Sequence, residues 1–111
     1  TEASATQTRD GVNGINLYRA NMLPRLTSPR IRKTQVPIQL LVPKQDNYVT
    51  LPVVESCYPF VETLWRRDVE AGHWAVHTHA EWMANCVAEF VEFAESGRET
   101  ASLAKARVLG E

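Results

Sequence analysis

The sequence predicts an α/β fold in which two parallel strands carry helices on their faces. Residues 36–43 form a short apolar run rich in branched side chains, which fits a strand covered on both faces, and residues 63–69 are a second, more polar strand candidate. Helical patterns precede, separate and follow these runs, and this alternation is typical of a parallel sheet. Because two strands make a poor sheet by themselves, we expect the other strands to lie upstream or in a partner.

The N-terminal part is predicted to contain a polar segment, one helix and a basic connector. Residues 1–9 are small and polar, and we expect them to be disordered. A helix is predicted from Asp10 to Met22. Pro24 is expected to end it, because the residue before a proline avoids the α region. A Pro-bounded basic connector then leads to the first strand at residue 36.

The middle of the chain is predicted to form a strand–helix–strand unit. A polar turn follows the strand at 36–43, and Thr50 can then cap a helix that reaches about residue 61. Pro59 is expected to break or bend the last turn of this helix. The second strand, 63–69, is more polar than the first, which predicts a position nearer the edge of the sheet.

The last predicted helix has the clearest pattern in the chain. Thr78 and Glu81 have the spacing of a capping box at its start, and Gly97 is expected to end it. Apolar side chains repeat between them every three or four residues: Trp82, Met83, Cys86, Val87, Phe90, Val91 and Ala94. Residues 98–111 are expected to be a tail or a linker.

Composition argues against several functional classes. Twelve basic and thirteen acidic side chains leave a net charge of −1, so there is no electrostatic footprint for nucleic acid. No apolar run approaches the roughly 18 residues that a membrane span needs. The two cysteines form neither a disulfide framework nor a CxxC motif, which predicts free thiols in a reducing, cytoplasmic compartment. The five glycines never form G-x-G-x-x-G, so no bound dinucleotide is predicted.

Two side chains that could carry chemistry follow the two predicted strands. Asp46 comes after the first strand and His73 after the second, and ligands of parallel sheets bind at the carboxyl ends of the strands. A carboxylate beside an imidazole makes the histidine a competent base. On pattern alone, an ordinary loop aspartate and loop histidine are the alternative. His77 and His79 come without thiolates, so neither a metal nor a cofactor is predicted.

Three stretches resemble α/β-hydrolases of the epoxide-hydrolase type. The stretch 38–49, which contains Asp46, is similar to the family's acid-bearing strand and turn. Val-Glu-Ala-Gly-His-Trp at 69–74 is similar to its catalytic-histidine loop. Asn-Leu-Tyr-Arg at 16–19 is similar to a motif of the last lid helix in epoxide hydrolases. The resemblance covers roughly residues 11–95. Pro43 stands where the family usually has glycine, so the turn that aims Asp46 is expected to differ.

The resemblance implies that the chain is a C-terminal fragment of an α/β-hydrolase fold. Residues 10–35 would be the end of the lid and residues 36–97 the C-terminal part of the core. Three catalytic residues are implied: Asp46 as the acid, His73 as the base, and Tyr18 as one of two tyrosines that polarise the epoxide oxygen. The implied substrate is a small-molecule epoxide or a related apolar compound.

The family's nucleophile is an aspartate on a sharp strand-to-helix turn, and this sequence contains no such turn. We therefore expect the chain by itself to be inactive. The stretch 65–74 resembles the hydrolase half of bacterial fusion proteins in which a short-chain dehydrogenase follows the hydrolase. In such an oxidoreductase, the dinucleotide-binding domain would lie beyond residue 111. The missing initial methionine also suggests a piece of a longer protein.

Two further interpretations are open at the level of sequence. The chain could be a non-enzymatic interaction module, in which the two orphan strands pair with those of a second copy to form a homodimer. The same fold could also act on an ester or a haloalkane. Tyr18 distinguishes that case, because ester hydrolysis has no need of a lid tyrosine.

Overall fold

The computed structural model describes residues 5–110, which fall into two compact units. The first unit ends at Arg32 and the second begins at Lys33. The predicted disorder of residues 1–9 can be compared only in part, because residues 1–4 lie outside the described residues. Residues 7–9 already belong to the first helix.

The first unit contains a single helix, α1 (Gln7–Thr27), which is longer than predicted. Pro24 lies inside this helix, so the prediction that it ends the helix was wrong. A proline removes one backbone donor, but the next bonds still form: the Thr27 hydroxyl donates to Leu23 O (3.0 Å) and Ser28 N–H to Pro24 O (3.0 Å). No residue of α1 is buried. Within residues 5–110, no helix is both long and apolar enough to cross a membrane.

The second unit is built on a three-stranded mixed sheet with the order β1–β2–β3. β1 (Ile38–Pro43) pairs in parallel with β2 (Leu64–Val69), and Pro43 lies opposite Val69 at their carboxyl ends. β3 (Arg107–Leu109) runs antiparallel to β2 on its other side. The predicted α/β class and the parallel pair are confirmed. The sheet of two strands is corrected to one of three.

β2 is the central strand, so its predicted position nearer an edge was wrong. Leu64 is fully buried, and the polar residues of the strand are held in place by partners on the flanking helices. Arg66 Nη1 donates to Glu55 Oε1 over 2.7 Å, and Arg67 Nη2 donates to Glu89 Oε2 over 2.5 Å. Polarity therefore misled the prediction, because each guanidinium is neutralised within the fold.

One face of the sheet is covered by the β1–β2 connection. It contains α2 (Leu51–Glu55) and a 3₁₀ turn (Tyr58–Phe60), whose tyrosine hydroxyl lies 3.1 Å from Arg66 Nη1. The sequence predicted one helix up to residue 61. Pro59 falls within the 3₁₀ turn, where a proline is tolerated, and the helix is divided there. Thr50 is the N-cap of α2, but its side chain makes no capping hydrogen bond.

The opposite face is covered by α4 (Ala80–Ser96). Gln39 Nε2 donates to Cys86 O over 3.1 Å, which ties the helix to β1. The ring of Trp65 packs edge-on against Phe90 and Phe93, with centroids 5.4 and 5.0 Å away. Helices therefore lie on both faces of the sheet, as the alternating pattern predicted.

The two ends of α4 differ in how well they were predicted. Gly97 ends the helix in the left-handed conformation (φ 70°), as expected, and its N–H donates to Phe93 O. The capping box was wrong. Thr78 is the last residue of a separate short helix, α3 (Ala75–Thr78), and His79 is the N-cap of α4. The Thr78 hydroxyl bonds within this junction, 2.9 Å from His79 Nδ1.

Residues 98–111 were expected to be a tail or linker, yet the described part of this segment contains α5 (Ala101–Lys105) and β3. Thr100 caps α5 by accepting the Leu103 N–H over 3.0 Å. The Leu103 side chain is fully buried. Because five helical and three strand residues are too few for a periodic pattern, the sequence gives little warning of either element.

Glu99, just before α5, connects this C-terminal segment to the centre of the sheet. Its carboxylate accepts from Arg107 over 2.8 Å and from the Trp65 indole N–H over 2.6 Å. These two donors hold the pKa of Glu99 below its usual range, and the arginine has the larger effect. The segment is therefore a bonded part of the second unit.

Leu103→Ala should lower the free energy of unfolding by about 2–5 kcal/mol, because it removes a fully buried side chain and leaves a cavity. Urea unfolding of the chain measures the change. Ser102→Ala, at an exposed position of the same helix, is the matched control and should have little effect. Equal stability of the two variants would mean that residues 98–111 do not pack as described.

Candidate functional site

The candidate site lies where β1 and β2 end side by side. Since Pro43 is opposite Val69, the two strands finish level, and the turns that follow them emerge at one edge of the sheet. Backbone bonds continue past the strands, from Lys44 N–H to Val69 O (2.9 Å) and from Gln45 N–H to Ala71 O (3.0 Å). The two turns are thereby held at a fixed separation.

An ion pair between Lys44 and Glu70 adds a side-chain connection between the same two turns. The glutamate raises the pKa of Lys44, mainly through their hydrogen bond. Both side chains are well exposed, so the pair contributes little to stability. The backbone bonds, and not this pair, therefore hold the two turns together.

Asp46 and His73 meet across these two turns. Asp46 Oδ2 lies 3.0 Å from His73 Nδ1, within hydrogen-bonding distance. The carboxylate is 7% exposed and the imidazole 38% exposed, so the acid is covered while the base is accessible. The other oxygen, Oδ1, accepts the backbone N–H groups of Tyr48 (2.8 Å) and Val49 (3.0 Å). The structure thus brings together two of the three predicted catalytic residues.

The hydrogen bonds of Asp46 determine the tautomer of His73. They lower the pKa of Asp46, with the Val49 N–H as the largest cause and His73 and Tyr48 as smaller ones. An ionised carboxylate can only accept, so His73 Nδ1 must donate the proton. In the neutral ring, Nε2 then carries the free lone pair. This arrangement can remove a proton from water or from a ligand.

Pro43 was expected to alter the turn that aims Asp46, but it does not prevent this contact. Its carbonyl accepts the Asp46 N–H over 3.2 Å and closes the turn. The N–H groups of Ile38 and Lys44 donate towards the β2 side of the sheet. Because successive residues of a strand face opposite sides, the N–H groups that face β2 between them belong to even-numbered residues. The nitrogen of Pro43 therefore faces away from β2, where a missing donor breaks no bond with that strand.

Two aromatic rings contact the imidazole, and neither was predicted to belong to the site. The Tyr48 ring lies 4.7 Å from the His73 ring and the Trp74 ring 5.4 Å from it, measured between centroids. Trp74 also lies 5.9 Å from the ring of His77. The position of Tyr48, two residues after the acid and inside its turn, was the signal available in the sequence.

Tyr18 lies on α1, in the first unit, and its side chain is 66% exposed. Within that unit it lines a shallow, largely apolar groove together with Leu17, Asn21 and Met22. Its role at the active site stays a prediction. Among residues 5–110, no group of three His, Cys, Asp or Glu side chains is placed to hold a metal ion.

Proteins similar to this chain include those called "Probable oxidoreductase EphD" in Mycobacterium bovis (strain ATCC BAA-935 / AF2122/97) and in Mycobacterium tuberculosis (strains CDC 1551 / Oshkosh and ATCC 25618 / H37Rv). Each is 34% identical to the chain over 109 residues, which cover 95% of it. The chain spans only 18% of the length of these relatives. No protein-family model and no solved structure matches it.

Asp46→Asn should reverse the tautomer of His73. The Asn Oδ1 must keep accepting the Tyr48 and Val49 N–H groups, so its NH₂ faces His73 Nδ1, which then has to accept. The proton moves to Nε2, which then has no free lone pair. Long-range ¹H–¹⁵N correlation spectra of ¹⁵N-histidine-labelled protein distinguish the two tautomers.

Asp68→Asn is the control for this experiment, because Asp68 pairs with Arg66 and not with a histidine. It should leave the His73 spectrum unchanged. An unaltered His73 tautomer in Asp46→Asn would show that the 3.0 Å contact does not orient the ring.

Proposed function

We propose that the chain supplies the acid–base pair of an α/β-hydrolase of the epoxide-hydrolase type, with Asp46 orienting His73. The observation that carries this proposal is the 3.0 Å contact between Asp46 and His73, located after two adjacent parallel strands that end level. The resemblance of the loop at 69–74 and of the motif around Tyr18 supports the epoxide-hydrolase type. The proposed substrate is a small epoxide or a related apolar compound.

The first step proposed needs a carboxylate nucleophile from outside residues 1–111. One of its oxygens attacks an epoxide carbon, the ring C–O bond breaks, and the electron pair moves to the ring oxygen. Tyr18, with a second tyrosine, donates a hydrogen bond to this oxygen and stabilises its developing charge. The product of the step is an ester between the enzyme and the opened substrate.

His73 acts in the second step. Its Nε2 takes a proton from water while the water oxygen attacks the ester carbonyl. The ester C–O bond then breaks, and the protonated histidine gives its proton to the leaving alkoxide. The second proton of the water, now on the carboxyl group, passes to the former ring oxygen, so that a diol and the free carboxylate remain. Asp46 stabilises the imidazolium between these two transfers. Neither Asp10, on α1, nor Asp68, bonded to Arg66, has the setting of a nucleophile, so the chain by itself should be inactive.

The word oxidoreductase in the relatives' name fits this proposal if it describes another part of those proteins. The chain spans 18% of their length and contains no G-x-G-x-x-G motif. We therefore place any dinucleotide-binding domain of a longer protein outside residues 1–111. The alternative, a non-enzymatic module that pairs strands with a second copy, is favoured only by the open outer edges of β1 and β3 in the described sheet.

His73→Gln in the full-length protein should separate the two steps. The nucleophile can still open the epoxide, but without the base the ester is not hydrolysed, so turnover should fall by about 100-fold or more. Mass spectrometry after incubation with styrene oxide should detect one covalently bound substrate per protein. His77→Gln, a neighbouring exposed histidine, should keep turnover and show no adduct. Full turnover in His73→Gln would remove the basis of the proposal.

Tyr18→Phe tests the choice of epoxide over ester chemistry. Removing one donor to the ring oxygen should slow ester formation by about 10- to 100-fold and leave its hydrolysis unchanged. Rapid-quench measurements with styrene oxide give the two rate constants separately. Tyr58→Phe, whose hydroxyl contacts Arg66, serves as the control. Unchanged ester formation in Tyr18→Phe would favour an ester or haloalkane substrate.

A further inference from the structure

Tyr48 contacts both members of the candidate pair. Its backbone N–H donates to Asp46 Oδ1 over 2.8 Å, and its ring lies 4.7 Å from the ring of His73 at an interplanar angle of 54°. We propose that Tyr48 is a positioning residue that keeps the His73 ring aligned with Asp46 during proton transfer. This inference rests on the proposed function, since it concerns how the same base is held.

Core packing does not explain where the Tyr48 side chain lies, because it is 79% exposed. An exposed aromatic ring loses nothing by turning into water, yet this ring lies against an imidazole. The turn that Asp46 closes directs it there: Oδ1 binds the N–H groups of Tyr48 and Val49 and so fixes the backbone that carries the ring. One turn therefore fixes both the orientation of the acid and the backbone that carries the aromatic ring.

The single hydrogen bond at His73 Nδ1 leaves the imidazole free to rock about the line that joins it to Asp46. Two aromatic rings contact the imidazole and restrict this motion: that of Tyr48, and that of Trp74 at 5.4 Å and an interplanar angle of 78°. When His73 takes a proton it becomes a cation, and an aromatic ring at this distance attracts a cation. The contact with the tyrosine ring therefore favours the aligned position of the imidazole, also while the imidazole carries the proton.

The ring, and not the hydroxyl, carries this role. Tyr48→Leu keeps the backbone donor and an apolar side chain but removes the aromatic face. Tyr48→Phe keeps the face and removes only the hydroxyl. Because the side chain is exposed, neither change should affect folding.

The experiment measures ester formation and ester hydrolysis by rapid quench with styrene oxide in the full-length protein. Tyr48→Leu should slow hydrolysis about two- to fivefold and leave ester formation unchanged, while Tyr48→Phe should match the original protein. Phe60→Leu makes the same kind of change on the 3₁₀ turn and should have no effect on either step. Unchanged hydrolysis in Tyr48→Leu, or an equal loss in Tyr48→Phe, would overturn the inference.

A second measurement does not depend on turnover. The solvent-exchange rate of the His73 Nδ1 proton, assigned by its disappearance in His73→Gln, should increase in Tyr48→Leu because the ring of the histidine is held less firmly. If His73→Gln traps no ester, the proposed function fails while this exchange rate still tests Tyr48. An unchanged exchange rate in Tyr48→Leu would overturn the positioning role itself.

Discussion

The parallel register of β1 and β2 is the constraint on which the candidate site depends. With Pro43 opposite Val69, both strands end at the same level, and the two turns that follow begin side by side. A slip of one residue would move Asp46 by about 3.3 Å and reverse the faces of the strand. The 3.0 Å contact with His73 requires that register.

The packing of β2 into the core also holds this register. Leu64 and Trp65 are almost wholly buried, and Glu99 bonds the Trp65 indole while it also holds Arg107 on β3. The segment after α4 thus closes the far edge of the central strand. The core and the site share one strand, because β2 carries Trp65 at its beginning and leads to His73 beyond its end.

The sequence predicted the parts of this structure that rest on long or well-separated signals. The two strands, the C-terminal end of α4 at Gly97, and the placement of Asp46 and His73 after adjacent strands could all be predicted from apolar runs and turn residues. α5 and β3 could not, because each is too short for a period to show and their stability comes from tertiary contacts such as those of Leu103. The predicted cap at Thr78 was wrong for a related reason, because Thr78 is the last residue of α3, another helix too short for a period to show.

The candidate site shows what local sequence rules leave out. The pairing of Asp46 with His73 follows from topology, but the tautomer follows from two backbone N–H groups that only the folded turn presents to Oδ1. Tyr48 supplies one of these groups and an aromatic ring against the histidine, and both depend on the same turn conformation. A proline at position 43 is compatible with that conformation, because the turn uses its carbonyl and not its nitrogen.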